Sequence, residues 1–578
     1  MGCLQFLPFR VILTTFIKRS GVQCHASFVV VALEVLRSGE FFVFYMDKKR
    51  ELEEIFSEQY PMCKSFRMHH DFNVIYDAKA NFAFVLSDKE MALLTRFLLL
   101  KENEGVKWEE NEVSTINHFK KLCECGVFIE GPAETVSEEN YEALKRKIQY
   151  YDKFVLPRKF VLEATEDCNY RCKYCPNTIN LGSNVRQHTK RYMSFDTAKA
   201  SIDYYFEQYI KIFKQLSKEK QSLLIETLPP TLQWYGGEPF LNFDVIEKAT
   251  EYFKQKPWNT IGIDTSHLSF STNSNMSIMN DRILDFLVNN KVQLFASLDG
   301  PKEENDKCRV FQDGKGTYDT IVKNLRKIRE RDEKYFKEHV SILGVQADEY
   351  DEDICQKFFK EGEFSDLDVS ISRQEYVECS YKNPDGELEH LKNSFEPDYE
   401  EIKNNIDKAN VDDATINNVD FLLTYVRIQT DNPKGTNNLG MTLTCPMGID
   451  NNMIGVDGDI HICHKTDGSA PFANIHNLPI DYSKLVDIFM KHNKAVNNGG
   501  CRSCWAVRFC SVCGAKRLYK GKMVNPSHKE CEVMRMEQQL CLKAFFYAIE
   551  NRPDIIEYFE RKRENRREYI SILDIHTF

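Results

Sequence analysis

Apolar and polar positions alternate through Phe72, Val74 and Tyr76, the chain can turn at Lys79-Ala80-Asn81, and an apolar run resumes from Phe82 to Leu86. A period of two puts successive side chains on opposite faces of a strand, so this segment reads as a hairpin. Ser87 followed by Glu90 is a capping box that opens a predicted helix through Leu100. A second helix is predicted from near Ser114, with Ile116, Phe119 and Leu122 on one face, and Gly126 to Glu130 reads as a closing strand. Residues 66–130 thus predict a small, separate, winged-helix-like α+β module, within a domain drawn at residues 46–150.

A different rhythm starts at residue 159. Strand-like runs at Phe160 to Ala164, Leu232 to Tyr235, Leu268 to Thr272, Gln293 to Leu298, Val340 to Val345 and Leu367 to Ile371 are each followed by a helix-like stretch. Six βα units predict an α/β fold, a parallel sheet curled into a partial (β/α)6, TIM-like barrel over residues 151–375. Chemistry in such a fold gathers at the C-terminal ends of the strands. Residues 376–535 are polar and then cysteine-rich, with few long periodic segments, and form a further domain. Residues 536–578 are helical again, with Ala544, Phe545, Ile549, Ile555 and Phe559 as packing positions.

The N-terminus departs from all of this. Phe6 to Ile17 and Ala26 to Leu36 are apolar runs broken by Arg10, Lys18, Arg19 and His25, and neither reaches the roughly 18–20 apolar residues of a membrane span. A secretory signal is one reading of this stretch. The preferred one starts the protein at Met46-Asp47-Lys48-Lys49 and treats residues 1–45 as an upstream extension.

Composition narrows the class. A length of 578 residues allows several domains, and a net charge of -11 offers no basic footprint for nucleic acid. The 19 cysteines stand in tight groups within a long chain, whereas disulfide scaffolds are short and secreted. Metal or cluster ligation in a reducing cytoplasm is the better account.

Cys168-x3-Cys172-x2-Cys175 lies directly after the first barrel strand. Three thiolates on one loop can hold three irons of a four-iron cluster and leave the fourth open to a small molecule. A zinc site is the alternative, although no fourth ligand stands nearby. Tyr235-Gly236-Gly237-Glu238-Pro239 follows the second strand, where two glycines can let backbone approach a ligand and Glu238 can take an ammonium group. Alone, that run could be an ordinary turn. Ser271-Thr272-Asn273 and Ser297-Leu298-Asp299-Gly300-Pro301 end the third and fourth strands, and Arg309 follows. Strand-end hydrogen bonding and a surface ion pair are the plainer readings of these positions. A second group comprises Cys445, Cys463, Cys501, Cys504, Cys510, Cys513 and Cys531, whose Cys-x2-Cys pairs also suit zinc ribbons. Cys63, Cys123, Cys125, Cys308, Cys355, Cys379 and Cys541 read as ordinary buried residues. His461 and His464, flanking Cys463, read as solvated or as supporting a metal site without binding it.

Taken together, the cysteine loop, the aromatic Tyr174 within it and the Gly-Gly-Glu-Pro turn resemble the radical S-adenosylmethionine superfamily. The second cysteine group resembles the SPASM extension of its peptide-modifying members, so that the likeness spans about residues 155–535. The resemblance implies that Cys168, Cys172 and Cys175 hold a 4Fe-4S cluster whose open iron binds the methionine amino and carboxylate groups. One electron then cleaves the sulfonium and yields a 5'-deoxyadenosyl radical. Implied contacts to S-adenosylmethionine are Tyr174, Gly236, Gly237, Glu238, Pro239, Ser271, Asn273, Ser297, Asp299 and Arg309, the last facing the methionine carboxylate. Two auxiliary 4Fe-4S clusters, making three in all, are implied on Cys445, Cys463 and Cys513 and on Cys501, Cys504, Cys510 and Cys531. This chain departs from the pattern in having two residues instead of three between Cys510 and Cys513, and in having Leu439 and Gly440 where some relatives carry an eighth cysteine.

Within that superfamily the sequence is most similar to maturases of ribosomally made peptides that install thioether crosslinks, of the sactipeptide or ranthipeptide type. The N-terminal module resembles their leader-recognition element, and Cys504-Trp505-Ala506 belongs to the same likeness. The implied partners are a cysteine-containing precursor peptide and a ferredoxin or flavodoxin as electron donor, with no nucleic acid and no membrane. An anaerobic sulfatase-maturing enzyme, which oxidises Ser or Cys to formylglycine, is the alternative. A non-catalytic iron-sulfur or zinc scaffold is a third reading.

Overall fold

The computed structural model describes residues 50–572 except 69–71, 101–105, most of 134–158, 176–187, 347–349, 374–398, most of 429–450, 511–513 and four single positions. The expectation for residues 1–45 lies outside the described residues.

A helix at residues 50–58 leads into β1 (Cys63–Arg67), β2 (Phe72–Asp77) and β3 (Phe82–Ser87), an antiparallel sheet in that spatial order. Its period-two pattern buries two faces instead of one. Ile75, Phe82, Phe84 and Leu86 pack with the helices Asp88–Leu100 and Val113–Glu124, whereas Phe66, Val74, Tyr76 and Ala83 pack with Trp505, Phe509 and Phe545 from the far end of the chain. The module predicted as separate is therefore joined to the C-terminal part through a shared core.

The capping box forms as read: Glu90 Oε2 accepts from Ser87 N at 2.8 Å, and Glu90 N donates to Ser87 Oγ at 3.3 Å. Ser87→Ala is expected to cost about 1 kcal/mol of stability, read as a lower denaturation midpoint.

The closing strand expected at Gly126 to Glu130 does not form. Gly126 at φ 86° and Phe128 at φ 58° turn the backbone out of strand geometry. Side chains satisfy this segment in place of a strand neighbour. The buried Asp77 accepts from Phe128 N at 2.7 Å, and the buried Lys79 donates through Nζ to Ile129 O at 2.9 Å and Glu130 O at 2.7 Å.

All six barrel strands appear: β4 (Lys159–Thr165), β5 (Thr231–Gly236), β6 (Ser269–Ser274), β7 (Gln293–Ser297), β8 (Val340–Gln346) and β9 (Asp368–Arg373). They are parallel and adjacent in chain order, as helix-linked units require. Leu162, Leu232, Trp234, Phe270, Leu294 and Ile342 share the face that packs under the helices. The cross-strand register puts Glu163, Tyr235, Gln233, Ser271, Asn273, Gln293 and Ser297 on the opposite face. That surface is largely polar, with Val161, Phe295 and Leu343 among the polar residues, and Gln293 Nε2 reaches Ser341 Oγ on it at 3.1 Å.

The cysteine-rich region adds to the same sheet. β10 (Asn451–Ile454) pairs in parallel with β4, and β11 (Asp459–His461) and β12 (Ala473–Asn474) extend the edge in antiparallel fashion. The order becomes β12-β11-β10-β4-β5-β6-β7-β8-β9. At the C-terminus the helices His528–Asn551 and Pro553–Ile572 bury Ala544, Phe545, Ile555 and Phe559, with Ile549 packed against them, as the periodicity predicts.

Candidate active site

β4 ends at Thr165, and the chain enters the Cys168–Cys175 loop within three residues. The loop is pinned along its length. Tyr170 bridges Phe311, Arg171 N donates to Val310 O at 2.8 Å, and Lys173 N donates to Cys308 O at 2.9 Å. Gln312 Nε2 donates to Cys168 O at 3.1 Å. Donors also aim at sulfur: Tyr170 N lies 3.4 Å and Asn275 Nδ2 3.5 Å from Cys168 Sγ.

Burial pushes Cys168 up to about 12 and Cys172 up to about 11, and the neighbouring thiols of the loop push in the same direction. A bound cation reverses that preference, because a coordinating thiol is deprotonated outright. Among the described residues, no three His, Cys, Asp or Glu donors close on a single ion. Ligands of a four-iron cluster each bind a different iron and need not meet at one point, and three thiols on one pinned loop are the donor type such a cluster takes.

The two glycines of the next motif serve the protein's own packing. A Cβ at Gly236, whose φ is 142°, would come 2.2 Å from Thr165 O, and one at Gly237 would come 2.1 Å from Asp167 O. Their place is against the strand end that launches the cysteine loop, where Gly237 N donates to Thr165 O at 2.9 Å and Glu238 N to Asp167 O at 2.8 Å. Gly237→Ala must push on that backbone. We expect it to lower both the melting temperature and the iron content of reconstituted protein, and wild-type iron content in this variant would contradict the packing role.

Glu238 is fully buried. Its Oε1 accepts from Phe240 N at 3.2 Å and Ser274 Oγ at 3.0 Å, and its Oε2 accepts from Asn275 N at 2.7 Å. Burial raises its pKa to about 7 although these bonds pull downward. The carboxylate thus ties the end of β5 to the end of β6. Pro239 opens the short 3-10 turn Pro239–Asn242. Ser271, Asn273 and Ser297 sit half-buried on the polar face, with Gln233 Nε2 3.5 Å from Asn273 Oδ1.

Asp299 and Arg309 turn toward each other. The guanidinium grips the carboxylate through Nη2 to Oδ1 at 2.8 Å and Nε to Oδ2 at 3.2 Å, with both side chains buried. Asp299 also accepts from Tyr174 OH at 2.6 Å, Tyr350 OH at 3.2 Å and Val345 N at 2.9 Å. Arg309 lies over the Tyr174 ring, 5.6 Å from its centre. Burial opposes the Arg309 charge, but Asp299 and its neighbours outweigh that and hold the group well above its usual range. Three residues read from the sequence as cofactor contacts, Tyr174, Asp299 and Arg309, form one buried knot that holds the end of the cysteine loop.

The second cysteine group divides. Burial raises Cys501 to about 11, and Cys504, Cys510 and Cys531 add to the shift, so these four thiols share one neighbourhood. Cys463 is buried, with Sγ 3.7 Å from His464 Nδ1. The His464 ring lies 4.9 Å from that of Tyr235, which directly precedes the glycine turn. Cys445 and Cys513 lie outside the described residues, as does Cys379. His461 is buried, not solvated, and Cys125 is exposed, not buried; Cys63, Cys308 and Cys355 are buried, while Cys123 and Cys541 are half-buried.

Sequence reasoning missed Ser274, Asn275 and Tyr350. The first two continue the polar run at the end of β6 and were within its reach. Tyr350 carries no signal, since only the fold brings it to Asp299. No helix among the described residues is long and apolar enough to cross a membrane.

Comparison with known proteins gives a partial match. The model of the Radical SAM superfamily matches residues 162–356. The chain is 25% identical over 233 residues to the radical SAM cyclopropyl synthase TigE of Paramaledivibacter caminithermalis, covering 39% of this chain and 44% of that protein. It is 26% identical over 246 residues to the cysteine-type anaerobic sulfatase-maturating enzyme of Clostridium novyi, covering 42% and 56%. The chain thus spans about half the length of the curated relatives it matches. A solved structure of native anSMEcpe with bound AdoMet and Cp18Cys peptide aligns with 17% identity and a TM-score of 0.44, over 70% of this chain and 98% of that one.

Proposed function

We propose, from the radical SAM domain that residues 162–356 form, that this chain is an enzyme that cleaves S-adenosylmethionine reductively and modifies a peptide, joining a cysteine sulfur to a carbon as a thioether. One observation carries the reading. β10, β11 and β12 extend the barrel sheet itself, and just beyond β11 the His464 ring lies 4.9 Å from that of Tyr235, with Cys463 Sγ 3.7 Å from His464 Nδ1. A thiol of the second group next to a histidine that borders the glycine turn suits a reaction that must hold two substrate groups together, where most of the acceleration comes from positioning.

Cys168, Cys172 and Cys175 would hold the radical-forming cluster, and Cys501, Cys504, Cys510 and Cys531 one auxiliary cluster. Cys463, with Cys445 and Cys513, would hold a third cluster with a vacancy for a substrate thiolate. Loaded there, cluster and S-adenosylmethionine supply one electron and a hydrogen-abstracting adenosyl radical. The protein's own part is to hold these in register. Asp299 and Arg309 fix Tyr174 and the cysteine loop, Asn275 directs an N–H at Cys168, and Glu238 locks the ends of β5 and β6 beneath them. The polar row Gln233, Ser271 and Asn273 faces the region where the cofactor would lie. A ferredoxin or flavodoxin would deliver the electron, and residues 50–133 would bind the leader of the precursor.

The C. novyi relative supports a second reading, formylglycine formation from a protein cysteine or serine. One assay separates them. Reduced, reconstituted protein is mixed with S-adenosylmethionine and a cysteine-containing precursor, and the peptide is analysed by mass spectrometry with and without thiol alkylation. A peptide that loses two hydrogens and no longer alkylates supports the thioether. Loss of the sulfur with gain of an aldehyde selects the second reading, and intact S-adenosylmethionine throughout defeats both.

A further inference from the structure

The ten residues from Cys501 to Cys510 show two sets of side chains. Cys501, Cys504 and Cys510 share their neighbourhood with Cys531, which begins the helix His528–Asn551. The residues between them are seated in the N-terminal sheet unit. Arg502 and Ala133 exchange bonds, Ala133 N to Arg502 O and Arg502 Nε to Ala133 O, both at 2.9 Å. Trp505 meets Phe66 edge-on at 5.4 Å, and Phe509 lies 5.4 Å from Tyr76 and 4.9 Å from Tyr425. Arg508 reaches into the β2–β3 turn, donating through Nε to Ala78 O and through Nη2 to Lys79 O at 3.0 Å. Arg427 donates to Arg508 O, lies over the Phe509 ring, and offers its own carbonyl to Asn81 Nδ2 at 3.0 Å.

That turn is a stiff mount. Asp77 accepts from Lys79 N at 2.8 Å and Ala80 N at 3.1 Å besides Phe128 N, and Lys79 is anchored through Nζ to two further carbonyls. The cysteine loop has little shape of its own, since its only regular structure among the described residues is the 3-10 turn Cys501–Ser503. A short irregular segment keeps one conformation only where its surroundings impose it, and cluster ligands must be held to a narrow geometry.

We propose that Arg508 is a positioning residue for the auxiliary cluster, and that the β2–β3 turn of the N-terminal unit is the template on which Cys501, Cys504 and Cys510 are set opposite Cys531. This rests on the reading of those four cysteines as cluster ligands. It follows that the N-terminal unit is a wall of the auxiliary site as well as a place for a leader peptide, so events in it reach the cluster through Arg508.

The test reconstitutes the full-length chain as wild type, Arg508→Leu, Arg508→Lys and a variant with Cys501, Cys504, Cys510 and Cys531 all changed to Ala. Iron per chain and the paramagnetic resonance spectrum of the reduced protein are measured. The quadruple variant should lose about a third of the iron, one cluster of three. Arg508→Leu should lose the same auxiliary signal while the spectrum still responds to S-adenosylmethionine. Arg508→Lys should recover part of it, because an ammonium can donate to the same carbonyls. A full auxiliary signal in Arg508→Leu overturns the proposal, whereas wild-type iron in the quadruple variant overturns the underlying assignment of the cysteines. If Arg508→Leu fails to fold, Asn81→Gly carries the test, since it keeps the positive φ of 49° and removes the side chain that holds Arg427 beside Arg508. A weakened auxiliary signal there supports the template and an unchanged one rejects it.

Discussion

Changing Cys168, Cys172 and Cys175 together to Ala is expected to abolish cleavage of S-adenosylmethionine and to remove about a third of the iron, the share of one four-iron cluster among three. The loop that carries them is separate from the Cys501–Cys531 group in chain and in packing, so the other clusters should load. The loop should also keep its backbone course, since Arg171, Lys173 and Gln312 hold it through main-chain partners that the substitutions leave in place. Iron analysis and the appearance of 5'-deoxyadenosine after dithionite reduction measure the two effects on one sample. Cleavage that persists in the triple variant would remove the radical assignment altogether.

Asp299→Ala should produce the largest loss of stability from a single substitution. It strands the buried Arg309 guanidinium without its carboxylate, and breaking a buried pair in this way costs about 3–5 kcal/mol. Tyr174 and Tyr350 lose their shared acceptor at the same time. Cleavage of S-adenosylmethionine should fall with stability, because Tyr174 belongs to the cysteine loop. A double variant, Asp299→Ala with Arg309→Leu, should be less destabilised than the sum of the single changes, since no unpaired charge remains. Denaturation midpoints of the three variants decide this, and strict additivity would show that the pair does not act as a unit.

The barrel was legible because its strands alternate under a constraint that sequence expresses directly. Leu162, Trp234, Phe270, Leu294 and Ile342 must meet the helices, and every second residue between them is free to be polar. The cysteine loop was legible for a similar reason, since its three donors lie within eight residues and spacing alone holds them to one place. Legibility failed where the partner is distant in the chain. Asp299 entered as a cofactor contact through the resemblance, and that it binds Arg309 at 2.8 Å and takes Tyr174 OH at 2.6 Å from 125 residues away is decided by the fold. Glu238 takes three donors, two of them from Ser274 and Asn275 at the end of β6. Thr165 and Asp167 crowd Gly236 and Gly237, a backbone constraint that leaves no trace in local composition.

By itself, then, the sequence determined the elements whose information is local: the period-two strands, the Ser87 and Glu90 cap, and the grouping of cysteines. Tertiary structure alone decided that β10 to β12 join the barrel edge and that the N-terminal sheet grips Trp505, Arg508 and Phe509. Strands of two to four residues carry too little periodicity to announce themselves, and pairing between residues hundreds of positions apart is settled by burial and hydrogen-bond satisfaction, which only the closed fold can impose.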